Sequence, residues 1–220
     1  MKYYVRTTGE RTLDDSYSQI EYELLLDKEH KPIESFMKQL REISKEDCVL
    51  LEDDLILCKN FKEEIEKVIS EHPNDIINFF TKPNDYFTSN YSQYFMFNQC
   101  TYYPKGIGEK LSNRMFGIYG MFGRSGYDYI ESMAIKELNL WVYNYRPCLV
   151  QHLDGYSLII KDTALNNLRM TPYFKDYLDK YNIDYNKPSE VFNNIELLRN
   201  EKDQEKQKIQ KIKQKLKNRE

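Results

Sequence analysis

Cys48-Val49-Leu50-Leu51-Glu52-Asp53-Asp54-Leu55-Ile56-Leu57-Cys58-Lys59-Asn60-Phe61 sets three consecutive carboxylates between two apolar runs. Apolar runs of this kind go inside, and a charge carried in with them is strongly disfavoured unless a partner or a metal neutralises it. The triplet therefore has two readings. In one it closes a buried strand, where hard carboxylate oxygens hold Mg2+ or Mn2+ and the cation in turn holds phosphates. In the other it is a solvated turn between two strands, the commoner setting for an acidic triplet taken alone. No Gly, Pro or Ser lies between Leu50 and Leu57, so the stretch has little turn chemistry and the first reading gains.

A chain of 220 residues is long enough for one sizeable domain with an adequate core. Its net charge of −3 is uneven: residues 201–220 hold eight Lys/Arg against four Asp/Glu, so that segment is +4 and the remainder −7. A body of that sign is not a general nucleic-acid binder. Cys48, Cys58, Cys100 and Cys148 fit no zinc-ligand spacing and lie in apolar contexts, which reads as buried free thiols in a reducing compartment. The start, Met1 to Arg6, runs into polar Thr7 to Arg11 without a signal-like apolar region. No run approaches membrane-spanning length, so the expected location is soluble and cytoplasmic. The 19 tyrosines, with frequent Lys, Asn and Ile and scarce Ala and Gly, are the bias of an AT-rich coding genome.

Residues 2–6 read as a first strand, followed by a polar loop carrying Arg6, Thr7 and Arg11. Loops after the first strand of an α/β sheet are where nucleotides bind, and phosphate contact is set here against ordinary surface charge. Glu21 to Asp27 reads as a second strand whose terminal Asp27 either accepts a hydrogen bond from a base or ribose or caps the next helix. Ile33, Phe36, Met37, Leu40 and Ile43 stand at helical spacing with Pro32 at the first turn. Phe61 to Ile69 is a second amphipathic helix halted at His72-Pro73, with His72 expected to face solvent. Asp75 to Phe80 is a strand.

The stretch Thr81 to Asn98 is polar and aromatic without period, either an acceptor-facing loop or one pinned down by its rings. Gln99 to Tyr103 reads as a strand, Pro104 to Leu111 as a helix, and residues 114–126, with four of the eight glycines, as a loop. Tyr127-Asp128 begins a helix and Leu140 to Tyr145 a strand. Pro147 to His152 is an apolar run ending beside a turn, where His152 is either a satisfied structural histidine or a partner of the acidic triplet. Ser189 can cap a helix after Pro188. Val191, Ile195, Leu198, Ile209, Ile212 and Leu216 keep a 4-3 spacing if Lys202 and Glu205 fill the two intervening seam positions, giving a long self-associating helix or a fraying charged tail.

Leu51-Glu52-Asp53-Asp54 followed by apolar residues and Asn60-Phe61 resembles the metal-binding acidic motif of glycosyltransferases with the GT-A fold. Gly126-Tyr127-Asp128 opening a helix, and Pro147-Cys148-Leu149-Val150-Gln151-His152 before Ser157, resemble that family's acceptor-side aspartate and its late Pro-Ser-Leu-Val-Gln-His segment. The resemblance covers residues 2–160. It implies an α/β fold with a GT-A-like, Rossmann-type mixed sheet flanked by helices over 1–165; beyond it the residues themselves read as a helical C-terminal extension over 166–200 and a basic charged helix or disordered tail over 201–220. It implies Asp54 as principal metal ligand with His152 as the second, and Glu52 or Asp53 on the ribose or donor sugar. Asp128 becomes the general base, or else a helix N-terminal acid favoured by the dipole. Arg6, Thr7, Arg11 and Asp27 then belong to the nucleotide-sugar site, and the cofactor is Mn2+ or Mg2+. The sequence departs from the family in its short nucleotide-binding half and in Cys148 where the pattern has Ser.

The function implied is transfer of a sugar from a nucleotide-sugar to an acceptor hydroxyl, with inversion favoured by such a base and retention left open because the motif also occurs in retaining relatives. The basic tail and aromatic loop would suit a phage-type enzyme that glycosylates modified bases in DNA. The acceptor can equally be a surface polysaccharide or a protein, and the tail can instead be drawn to an anionic membrane. Two other classes compete: a metal-dependent phosphoryl-transfer enzyme or nuclease, which would want more acids at strand ends, and a non-catalytic binding module.

Overall fold

In the computed structural model, residues 1–80, 89–94, 98–122, 126–153 and 170–217 are described, with the backbone alone for residues 122 and 212–217. Pro83 and the aromatic positions Tyr86, Phe87, Phe95 and Phe97, the turn after Leu153 with Ser157, and the expected boundary at 165 lie outside the described residues.

The sequence folds as expected into an α/β structure, a mixed sheet flanked by helices. Its strands are β1 (Lys2–Thr7), β2 (Tyr22–Leu26), β3 (Cys48–Glu52), β4 (Leu55–Leu57), β5 (Ile76–Asn78), β6 (Tyr91–Ser92), β7 (Cys100–Tyr103), β8 (Val142–Asn144) and β9 (Val150–His152). Seven of them form one sheet in the order β2-β1-β3-β7-β5-β8-β6, and β4 and β9 form a separate two-stranded ribbon. β1 runs parallel to both β2 and β3, whereas β7 is antiparallel to β3 and β5. The helices are α1 (Pro32–Ile43), α2 (Phe61–Glu71), α3 (Ile107–Phe122), α4 (Tyr127–Glu137), α5 (Lys175–Lys180), α6 (Pro188–Asn193) and α7 (Ile195–Lys217), with a 3-10 turn at Asp15–Gln19.

The unbroken apolar character of β3 follows from burial on both faces. Val49 and Leu51 point into a core completed by Tyr3, Val5, Phe61, Ile65 and, from the C-terminal helices, Leu178, Val191 and Leu198. Cys48 and Leu50 point the other way, onto Phe36, Leu40, Leu111, Ile118 and Ile130 of α1, α3 and α4. All four cysteines are buried and free, and burial raises the thiol of Cys48 to about 12. Among the described residues no helix is long and apolar enough to cross a membrane.

Three expectations are corrected. Residues 114–122 continue α3 and are not a loop. Leu111, Met115 and Ile118 hold the core face, while a Cβ at Gly120 would meet nothing within 4 Å, so the glycines there cost propensity without breaking the helix. His72 is not solvent-facing: the parallel pairing of β5 with β8 brings Tyr143 beneath it, the rings stack at 4.0 Å, and the His72 side chain is 26% exposed. Ser189 does not cap α6; Pro188 takes its first position after Lys187.

Candidate metal centre

β3 delivers Glu52 at the carboxyl end of a central strand, and the chain then bends away from the sheet through Asp53 and Asp54 into β4. The acidic triplet is thus a turn between two strands, and it is also buried, with the side chains of Asp53 and Asp54 only 8% and 13% exposed. β4 pairs antiparallel with β9 so that Leu55 stands opposite His152, and Leu153 N donates to Asp54 O at 2.7 Å. That register places His152 beside Asp54, nearly a hundred residues apart in sequence, with Nε2 3.3 Å from Oδ2.

The carboxylates are held individually. Asp53 Oδ2 accepts from Thr7 Oγ1 at 2.6 Å, and Thr7 Oγ1 in turn accepts from Gly9 N at 2.9 Å, folding the loop after β1 over the triplet. Arg11 Nη1 donates to Asp53 Oδ1 at 2.9 Å and to Asp54 Oδ2 at 2.6 Å. Burial pulls the Arg11 guanidinium pKa down, but Asp54 and Asp53 overcome this and raise it. Tyr17, on the 3-10 turn, donates to Glu52 O, and Tyr127, on the first turn of α4, donates to Glu52 Oε1. Burial first, then the nearby carboxylates, lift both phenols above their ordinary range, so they remain donors.

Glu52, Asp54 and His152 each offer a ligand atom, and the three atoms lie within 4.8 Å of one another. Two carboxylates and an imidazole are a donor set for Mn2+ or Mg2+, with Mn2+ the better match to nitrogen. Two features of the residues fit a cation. His152 is 2% exposed, yet among the described residues neither ring nitrogen has a hydrogen-bond partner, because Asp54 Oδ2 is close but not in line. Buried polar atoms of this kind call for a ligand. Set against Arg11, the three carboxylates of the triplet also leave two negative charges, the complement of a divalent ion.

The structure brings Thr7, Arg11, Glu52, Asp53, Asp54 and His152 into one site. Arg6 is turned elsewhere: Nε donates to Gln39 Oε1 at 2.9 Å, and the guanidinium lies 4.6 Å from the ring centroids of both Phe36 and Tyr127. Asp27 Oδ1 accepts from Lys31 N at 3.2 Å, pinning the turn before α1. Asp128 Oδ1 accepts from Tyr129 N at 2.9 Å on the first turn of α4, next to the Tyr127 that reaches Glu52.

Sequence reasoning missed Tyr17 and Tyr127 because one Tyr among 19 carries no mark. It also missed Glu131, fully buried on α4, whose carboxylate accepts from Tyr103 OH at 2.7 Å and Asn98 Nδ2 at 2.8 Å. Burial raises its pKa to about 8 against the lowering effect of both donors. The one available signal was its place on the core face of the helix, between Ile130 and Ala134. Comparison of the sequence with protein-family models finds no match, and comparison with curated proteins finds none.

Proposed function

We propose that the chain is a metal-dependent glycosyltransferase, moving a sugar from a nucleotide-sugar to an acceptor hydroxyl. The observation that carries this reading is the convergence of Glu52, Asp54 and the shielded His152 at the carboxyl end of β3, beside Thr7 at the end of β1 and Arg11 of the loop after it. The crevice at the carboxyl ends of such strands is where α/β sheets take nucleotides. The resemblance of the acidic motif and the His152 segment to GT-A enzymes supports the same reading.

In the proposed reaction the acceptor oxygen attacks the anomeric carbon while the bond from that carbon to phosphate oxygen breaks. The electron pair of that bond leaves with the nucleoside diphosphate, and the acceptor proton passes to a carboxylate. Asp128 is assigned that base role, since it follows Tyr127 on the turn of α4 that reaches the site. Attack opposite the leaving group inverts the anomeric centre. When bound, a divalent cation supplies positive charge to the departing diphosphate. Glu52, Asp54 and His152 would hold it, and Arg11 would offer a second positive group to the phosphates once its hold on Asp54 is relaxed.

Titrating nucleotide-sugars into the protein with and without Mn2+ tests the reading. The expected result is binding that needs Mn2+ in the unaltered chain and disappears in Asp54→Ala and in His152→Ala. Nucleotide-sugar binding that is absent, or indifferent to Mn2+, overturns it.

A further inference from the structure

We infer that the C-terminal part of α7 binds the surface of an anionic bilayer. This rests on a different part of the chain from the metal centre and does not depend on it.

The first turns of α7 are fastened to the body along one arc of the helix. Leu198 is fully buried, Glu201 accepts from Lys180 Nζ and from Tyr181 OH, and Glu205 accepts from Tyr177 OH. After Glu205 the composition of that arc changes. At 100° per residue, positions 209, 212 and 216 fall within about 60° of one another on the same arc as 198 and 205, and they are Ile, Ile and Leu. Lys206, Lys213 and Lys217 border this arc on one side, and Lys208 and Lys215 border it on the other. Gln207, Gln210, Lys211 and Gln214 fill the opposite face. No acid occurs between Glu205 and Glu220. Of this segment's described side chains, Gln207, Lys208, Gln210 and Lys211 are exposed and Lys206 and Ile209 are half-buried.

An apolar stripe edged on both sides by lysines and backed by three amides and Lys211 fits an interface between hydrocarbon and anionic headgroups. The stripe enters the headgroup boundary, and the lysine stems reach outward to phosphate. Two competing occupants use only half of this pattern. Duplex DNA would use the lysines and leave the stripe in water. A second copy of the helix would bury the stripe but bring the bordering lysines of both copies together, which repels. The arrangement therefore selects phospholipid of net negative charge.

The test is flotation of the full chain with vesicles of phosphatidylcholine alone and of phosphatidylcholine mixed with phosphatidylglycerol. Binding is expected to the mixed vesicles only and to weaken with salt, with a partition coefficient lower by about fivefold for each Lys→Gln change among 206, 208, 213, 215 and 217. It is expected to vanish in the triple variant Ile209→Glu, Ile212→Glu, Leu216→Glu and in a chain ending at Glu205. Far-UV circular dichroism of the truncated chain shows that the body still folds. Absence of binding to mixed vesicles overturns the inference, as does binding that survives the triple variant. A dimer that needs the three apolar residues, or salt-sensitive binding to duplex DNA, also overturns it when either occurs with vesicles left unbound.

Discussion

Tyr127 hydrogen-bonds through its hydroxyl to Glu52 Oε1, so the first turn of α4 and the end of β3 share one half-buried contact across the site. Because Arg6 lies against the same ring, the phenol is held from behind as well. A ligand carboxylate oriented in this way presents its other oxygen in one direction, and loss of such an outer partner typically weakens metal binding 10- to 100-fold. Tyr127→Phe is therefore expected to raise the Mn2+ dissociation constant about tenfold or more in isothermal titration calorimetry. An unchanged constant would remove Tyr127 from any role in positioning the site.

Arg11 does the opposite job on the other side, neutralising Asp53 and Asp54 when no other cation is near. Replacing it with Met leaves two largely buried carboxylates facing each other. Arg11 is itself 25% exposed, so the penalty is discounted from the several kcal/mol of a fully buried pair to about 1–3 kcal/mol. Urea melts of Arg11→Met should show that loss without metal and its recovery with saturating Mn2+, since a ligand of the folded state alone stabilises by mass action. Equal losses with and without Mn2+ would mean that guanidinium and cation do not answer the same charge.

Glu131 predicts a pH dependence. Its pKa rises from the usual 4.5 to about 8 in the folded chain, so between those values the folded state holds a proton that the unfolded state has released. Its contribution to stability is then fully present below about pH 4.5 and is lost as pH climbs towards 8. Glu131→Gln keeps the shape and one acceptor oxygen for the Tyr103 hydroxyl while removing the titration. The variant should be more stable than the parent at pH 8, by on the order of a few kcal/mol, with a flatter denaturation midpoint from pH 5 to 8. A parallel profile in the two proteins would contradict this.

Two glycines of α3 should respond in opposite directions to Ala. A Cβ at Gly120 meets nothing within 4 Å, so Gly120→Ala should stabilise by about 0.5–1 kcal/mol through helix propensity alone. A Cβ at Gly108 would come within 2.4 Å of Leu40 O, a backbone atom of α1, so Gly108→Ala should destabilise by pushing the two helices apart. Thermal melts of the pair settle both signs.

The parts of the fold legible in the sequence were those written in local pattern. α1 and α2 were marked by apolar residues at helical spacing and bounded by Pro32 and Pro73, and β3 by an apolar run too long for one buried face. α3 was cut short because four closely spaced glycines outweigh apolar spacing when packing is unseen, while Leu111, Met115 and Ile118 against α1 and β3 decide the matter in the folded chain. The acidic triplet and His152 were visible as unusual residues in apolar settings. Their meeting was anticipated only through the resemblance and not from local pattern, because it depends on β4 leaving the main sheet to pair with β9. The orienting groups Tyr17 and Tyr127 were hidden for the same reason: a hydroxyl that acts on a carboxylate from another element leaves no periodicity behind.

The β4–β9 ribbon also sets when the site can exist during synthesis. Glu52 and Asp54 leave the ribosome early, but His152 emerges much later, and its strand is fastened to β4 upstream and also to residues further downstream. Gln151 Nε2 donates to Thr171 O at 2.8 Å, Cys148 N donates to Tyr173 O at 3.0 Å, and Lys175 N donates to Cys148 O at 2.9 Å. A nascent chain that has not reached α5 carries the acids without their imidazole held in place. For the proposed cation site, capture then comes late in the life of each molecule, and a chain broken off before that point has no complete site to load.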